Sequence, residues 1–107
     1  MNVVLVLTNF PSREAAVKLA EQLVAAKLAA CINILAPCLS IYHWQGKTES
    51  AEEIPVLIKT TENRYEEVQK MIRDLHPYEL PEILCVPLAG GLPEYLQWVA
   101  AETRTKP

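Results

Sequence analysis

Eight side chains of the sequence are candidates for binding transition-metal ions. Such ions prefer thiolate, thioether and imidazole ligands, with carboxylate as an auxiliary. The candidates are Cys31, Cys38, Cys85, His43, His76, Met71, Glu79 and Glu82. None forms a recognised metal-ligand string, because even Cys31 and Cys38 are too far apart for a C-x₂₋₄-C knuckle. A metal site therefore has to be assembled by the fold.

The three cysteines are expected to differ in exposure. An odd number without paired spacing favours a reducing compartment over a disulfide framework. Free cysteine is often buried, so Cys31 and Cys85 are interpreted as small buried hydrophobic residues within strands. Cys38 follows Pro37 in a bend, and it is therefore expected to be the exposed thiol and an accessory metal ligand.

His76 precedes Pro77 at the end of a helical pattern, and two interpretations of it stay open. As a helix C-cap, its side chain would satisfy the last carbonyl groups and complement the helix dipole. As a binding residue, it would meet Tyr78 and Glu82 at a cleft between subunits. Lys59, from the end of the third strand, would join that cleft.

Catalytic motifs do not occur in the sequence. It contains no G-x-S-x-G elbow, no Walker loop and no H-E-x-x-H pair. The neighbouring carboxylates Glu52 and Glu53 should point apart in a strand, so we interpret them as solvated surface. The sequence therefore predicts a protein that is not an enzyme.

Charge and hydropathy argue against two classes of partner. The net charge is −3, the isoelectric point is about 5.4, and the lysines are dispersed, whereas nucleic-acid binding needs clustered basic residues. The first residues, MNVVLVLTNFPSRE, lack a basic segment and a cleavage site, and their apolar run is too short for a membrane span. We expect a soluble, cytoplasmic protein without nucleic-acid or membrane partners.

The order of the patterns predicts one α+β domain over residues 1–107. The patterns indicate a strand at 3–7, a helix capped by Ser12 and fading near 26–28, an alternating strand from 30, a return strand to 61, a helix capped by Thr61 or Asn63 and ended by His76, a strand at 83–88 and a helix from Pro93. Split βαβ halves of this kind form a ferredoxin-like sandwich, although other α+β folds share the order.

The stretch from Ala29 to Thr61 predicts two long strands that turn at Gln45-Gly46-Lys47. Pro37 has no backbone donor and should produce a bulge or bend near residues 36–38. Strands in globular domains run to about 5–6 residues, and a long exposed edge invites pairing with another chain. The hairpin therefore predicts assembly.

Five segments together resemble the CutA divalent-cation-tolerance family. They are KLAACIN at 27–33, SIYHWQGK at 40–47, KTT at 59–61, HPYELPEI at 76–83 and YLQW at 95–98. The resemblance implies a ferredoxin-like βαββαβ sandwich with a long hairpin between its second and third strands and a C-terminal helix. It also implies a homotrimer formed by pairing of the hairpins, and a role in tolerance of copper and other divalent cations.

The copper ligands proposed for that family match this sequence only in part. His76 and Glu82 match, but Thr8 stands where some members have cysteine, and Leu75 stands where some have a second histidine. A hydroxyl is a poor copper ligand. We therefore expect copper or another divalent cation to be weakly held by His76 and Glu82, with Cys38 as accessory, and no organic cofactor to be bound.

The implied fold and trimer are also similar to those of the PII nitrogen-signalling proteins, which bind small effectors between subunits. This similarity gives an alternative function. A small anionic ligand would occupy the intersubunit cleft, held by Lys59, Tyr78 and the backbone near Gly90.

Overall fold

The fold is described here from a computed structural model over residues 2–104. Its elements in chain order are β1 (Val3–Phe10), α1 (Arg13–Ala25), β2 (Cys31–Ile34), β3 (Cys38–Trp44), β4 (Lys47–Thr61), a 3₁₀ turn (Glu62–Arg64), α2 (Tyr65–Leu75), β5 (Ile83–Pro87) and α3 (Pro93–Glu102). None of the helices in this part of the chain has the length and apolar character needed to cross a membrane.

The strands form an antiparallel sheet in the order β2-β4-β1-β5, with β3 paired to β4 beyond the end of β2. Helices α1 and α2 cover one face of this sheet. The predicted ferredoxin-like sandwich with a long hairpin and a C-terminal helix is confirmed. The second predicted strand is divided into β2 and β3 by residues 35–37, as expected from the missing donor of Pro37.

Strand β4 is 15 residues long and serves two parts of the molecule. Its second half pairs with β1 and β2 inside the sheet, whereas residues 47–53 pair only with β3. The turn at Gln45 and Gly46 has positive φ at both residues (50° and 80°), as a two-residue hairpin turn requires. We call β3, this turn and residues 47–53 the hairpin arm.

The core lies between the sheet and its two covering helices. Alternate residues of β1 and β4 point toward the helices because side chains alternate across a strand. The central buried residues are Val4, Val6, Phe10, Leu19, Leu23, Val56, Ile58, Val68 and Ile72. On the other face of the sheet, Leu84 and Val86 of β5 remain exposed.

The helix starts follow the sequence in one case and depart from it in another. The Ser12 hydroxyl accepts a hydrogen bond from the Ala15 amide, so the predicted N-cap of α1 is confirmed. The predicted side-chain cap at Thr61 or Asn63 is wrong, because the 3₁₀ turn intervenes before α2 begins at Tyr65. The Thr61 hydroxyl donates to the Asn63 side chain instead of accepting from a helix amide.

Candidate functional site

A groove of about 820 Å³ lies between the hairpin arm and the segment 77–82 that follows α2. Its lining combines three aromatic rings with three carboxylates. The lining residues are Ser40, Ile41, Tyr42, His43, Trp44, Glu53, Pro77, Tyr78, Glu79, Leu80 and Glu82. Of the predicted site residues, Tyr78 and Glu82 are part of this lining, whereas His76, Cys38 and Lys59 are not.

The register of the hairpin arm decides which of its side chains share a face. Residues directly opposite each other in an antiparallel pair share a face. Cys38 is opposite Glu53, and Trp44 is opposite Lys47. With the alternation along β3, this places Tyr42, Trp44 and Glu53 on one face of the arm. Leu39 and its partner Glu52 lie on the opposite face, together with Ile41 and His43, which also line the groove.

Glu53 is the least exposed acidic residue of the groove. It is only 8% exposed, whereas Glu79 and Glu82 are exposed. The two ion pairs among residues 2–104 join other side chains. Burial raises the pKa of Tyr78, and the carboxylate of Glu53 raises it further because a tyrosinate would add a second negative charge. Glu53 and Tyr78 are therefore neighbours across the groove.

Replacing Glu53 by Gln should lower the pKa of Tyr78, since the burial contribution stays and the charge repulsion is removed. The pKa can be measured from tyrosinate absorbance, taking the difference between each protein and its Tyr78→Phe derivative. Glu52→Gln, on the opposite face of the arm, should leave this pKa unchanged. An equal shift in both variants would contradict the assigned register.

His76 lies beside the groove, in contact with the lining residue Tyr78. Its Nε2–H donates to the carbonyl oxygen of Asn9 at 2.6 Å, and its Nδ1 accepts from the Tyr78 amide at 3.1 Å. Its ring lies between those of Phe10 and Tyr78, with centroid distances of 4.3 and 4.6 Å. The predicted C-cap position is confirmed, but the ring bonds to these groups rather than to helix carbonyls. Ligation of a metal would require one of these hydrogen bonds to break.

Asn9 links the two residues that match the family's ligand set. Its backbone carbonyl accepts from His76, and its side-chain amide donates to the Glu82 carboxylate at 3.2 Å. Sequence reasoning missed Asn9, because its partners lie 67 and 73 residues away along the chain. The interpretation of Glu53 as solvated surface is wrong, because the fold of the arm places it at the groove, where it is only 8% exposed.

The cysteines are arranged differently from the sequence-based expectation. Cys85 is exposed, whereas Cys31 and Cys38 are half-buried, so the interpretation of Cys85 as buried is wrong and Cys38 is not the most exposed thiol. The reason is that β5 lies at an edge of the sheet. Desolvation and the nearby Glu62 carboxylate raise the pKa of the Cys85 thiol, which disfavours the thiolate needed for metal binding.

The predicted ligands do not form a metal site within one chain. Among residues 2–104, no three His, Cys, Asp or Glu side chains come together as metal ligands would. The Cys38 sulfur lies 3.8 Å from the Ser40 hydroxyl, at the base of the arm. His76 and Glu82 meet at Asn9 instead.

Lys59 belongs to another part of the sheet. Its ammonium group donates to the Asn33 side chain and lies 3.8 Å from the Cys31 sulfur. Glu53 neighbours Tyr78 and precedes Lys59 by six residues in β4, a distance of roughly 20 Å along a strand. Within one chain, the structure therefore does not bring Lys59 and Tyr78 together.

A family model described as CutA1 divalent ion tolerance protein matches residues 4–102 of this chain. The "Divalent-cation tolerance protein CutA" of Thermus thermophilus is 42% identical over 98 residues, which are 92% of this chain and 95% of that protein. The "Protein CutA, chloroplastic" of Arabidopsis thaliana is 39% identical over 94% of this chain, which spans only 56% of that protein.

Solved structures agree with the sequence comparison. The structure of the divalent cation tolerance protein Cut A1 from Thermus thermophilus superposes with a TM-score of 0.93 at 40% sequence identity, covering 95% of this chain and 99% of that one. The structure of CutA1 from Oryza sativa has a TM-score of 0.94 at 33% identity, covering 99% and 97% of the two chains.

Proposed function

Because the chain belongs to the CutA1 divalent ion tolerance family, we propose that it acts in tolerance of divalent metal cations, copper among them. In this proposal it works without catalysis, as a cytoplasmic homotrimer whose hairpin arms pair with neighbouring subunits. The relatives' role in divalent-cation tolerance supports the first part. The observation that supports the homotrimer is the uncovered hairpin arm.

The arm exposes apolar surface that one subunit does not cover. Leu39 and Ile41 are 69% and 68% exposed, and both belong to β3. Exposed apolar patches of this kind are typical of protein–protein contacts. In addition, residues 38–44 pair only with β4, so the outer backbone edge of β3 is free among the described residues. A second copy can supply both the missing hydrogen bonds and the missing cover.

The shape of the chain supports the same proposal. Its radius of gyration is 14.5 Å and its longest dimension is 47 Å, whereas a compact chain of this length has a radius of gyration of about 13 Å. The projecting arm accounts for the elongation. The copy number of three is what the family resemblance implies.

Cytoplasmic location is supported by the cysteines. Cys31, Cys38 and Cys85 are all free thiols, and a reducing compartment preserves such thiols. The alternative function, with a small anionic ligand held by Lys59 and Tyr78, finds less support, because the two residues lie apart and the groove beside Tyr78 is lined by carboxylates.

In this account direct metal binding is weak. His76 must give up a hydrogen bond to Asn9 or Tyr78 before it can ligate. Glu82 has an exposed carboxylate, and Cys38 lies on the base of the arm. Because these three residues do not converge within one chain, a neighbouring subunit has to complete the ligand set.

Equilibrium dialysis against Cu²⁺ tests the metal-binding part. We expect the wild type to take up copper weakly, and Glu82→Gln and Cys38→Ser each to reduce the uptake several-fold. Glu21→Gln on α1 and Cys85→Ser are the matched controls and should retain wild-type uptake. Equal, negligible uptake by every protein would remove the direct-binding claim and leave the family assignment in place.

A further inference from the structure

We propose that the groove beside the hairpin arm binds a small organic polyamine, with one ammonium group on the buried Glu53 carboxylate and the chain lying over aromatic rings. This inference goes beyond metal-cation tolerance and does not depend on copper binding. It also reverses the charge of the ligand that the family resemblance suggested.

The first support is the largely buried carboxylate of Glu53. Removing a carboxylate from water is costly unless a cation or hydrogen-bond donors accompany it. Glu53 is 8% exposed and lines the groove. The ion pairs among residues 2–104 are Arg64–Glu67 and Lys70–Asp74, so neither neutralises Glu53. Tyr78 is the neighbour of Glu53 across the groove and carries no positive charge, so a cation that enters the groove would supply an opposite charge.

The second support is the aromatic lining. Tyr42, Trp44 and Tyr78 all face the groove, and each keeps part of its ring exposed. The faces of Trp and Tyr rings attract ammonium groups, most strongly where water is partly excluded. The methylene groups of a polyamine would cover the apolar parts of the same rings.

The spacing of the carboxylates favours a ligand with separated charges over a metal ion. Glu53, Glu79 and Glu82 all line the groove, but no three acidic, histidine or cysteine side chains among residues 2–104 converge on one point. A volume of about 820 Å³ also far exceeds that of one ion. Two or more ammonium groups along a flexible chain fit this arrangement.

The lining also lacks groups that would repel a polyamine. It includes no lysine and no arginine, and its one histidine is His43. Lys47 lies opposite Trp44 near the end of the arm, outside the lining. The groove as a whole is therefore acidic.

Assembly through the arm leaves room for this ligand. Leu39 and Glu52 lie on the face of the arm opposite to Glu53, and Leu39 does not line the groove. Ile41 shares the face of Leu39 and also lines the groove. A neighbouring copy that pairs with the edge of β3 would cover Leu39 and border the groove at Ile41, while Tyr42, Trp44 and Glu53 stay on the other face of the arm.

The test is isothermal titration calorimetry of the purified full-length protein with spermidine at low ionic strength. We expect saturable binding to the wild type and at least tenfold weaker binding to Glu53→Gln. Glu52→Gln removes the same charge from the adjacent, exposed position and should bind as the wild type does. Trp44→Leu, which keeps an apolar side chain, should weaken binding several-fold.

Two further probes separate specific recognition from counterion condensation. Triethylene glycol, a neutral chain, should give no saturable heat. Mg²⁺ at a matched concentration of charge should compete poorly, because it has no chain to place over the rings. Absence of saturable spermidine binding to the wild type would overturn the proposal. Equal weakening by Glu52→Gln and Glu53→Gln, or full displacement by Mg²⁺, would also overturn it.

The copper dialysis described above provides a separate readout for metal tolerance. Spermidine binding with no copper uptake would support the groove site and count against direct metal binding. Copper uptake without spermidine binding would support direct metal binding and overturn the groove site. If Glu53→Gln fails to fold, two other single variants take its place, Glu79→Gln and Trp44→Leu. Each of them should weaken spermidine binding, and wild-type affinity in both would overturn the proposal.

Discussion

Replacing Leu39 by Lys should dissociate the assembly and leave folded single subunits. Leu39 is 69% exposed in the isolated chain and would be covered by a neighbour in the proposed trimer. Glu52 lies directly opposite it on β4, so the new lysine gains a favourable cross-strand partner within the subunit. In the interface, however, the same ammonium group would be desolvated, which costs several kcal/mol unless it is well paired.

Size-exclusion chromatography with light scattering measures the outcome. Val24→Lys is the matched control, since Val24 is 45% exposed on α1, away from the arm, and this variant should keep the wild-type mass. The wild-type unfolding midpoint should also rise with protein concentration, whereas that of Leu39→Lys should not. A Leu39→Lys protein with the mass and concentration dependence of the wild type would contradict the proposed role of the arm.

Replacing Phe10 by Ala should lower the free energy of unfolding by about 3–5 kcal/mol, because it removes a large side chain from the core and leaves a cavity. Phe10 is fully buried at the end of β1, opposite Ile54. Its ring packs against that of His76 at a centroid distance of 4.3 Å. The loss should therefore also loosen His76 and the adjacent segment 77–82.

Urea denaturation at a fixed protein concentration measures this change as a lower midpoint with an unchanged slope. Val24→Ala, on the exposed face of α1, should change the free energy of unfolding by less than about 0.5 kcal/mol. A loss below about 1 kcal/mol for Phe10→Ala would show that its surroundings collapse around the smaller side chain, contrary to the packing described here.

The backbone features were predictable because local chemistry decides them. Pro37 lacks a donor and divides the long strand, Ser12 caps α1, and Gln45 and Gly46 form the tight turn. Pro93 begins α3, where its missing amide hydrogen costs nothing. Each of these depends on one or two residues and their immediate neighbours.

The site was less predictable, because long-range register and packing decide it. Glu53 and Lys59 are on one strand, yet Glu53 faces the groove and Lys59 contacts Asn33 on β2. The ring of His76 pairs with Asn9, a partner that nothing near His76 in the sequence indicates. The exposure of Cys85 follows from the edge position of β5, which depends on the strand order of the whole sheet.

The most direct test of the central claim is sedimentation equilibrium of the wild-type protein at low concentration. If neighbouring copies cover the hairpin arm, the mass will be three times the 12.0 kDa of one chain. A stable, folded species of 12.0 kDa would contradict the account, because the apolar face of the arm would then remain in water.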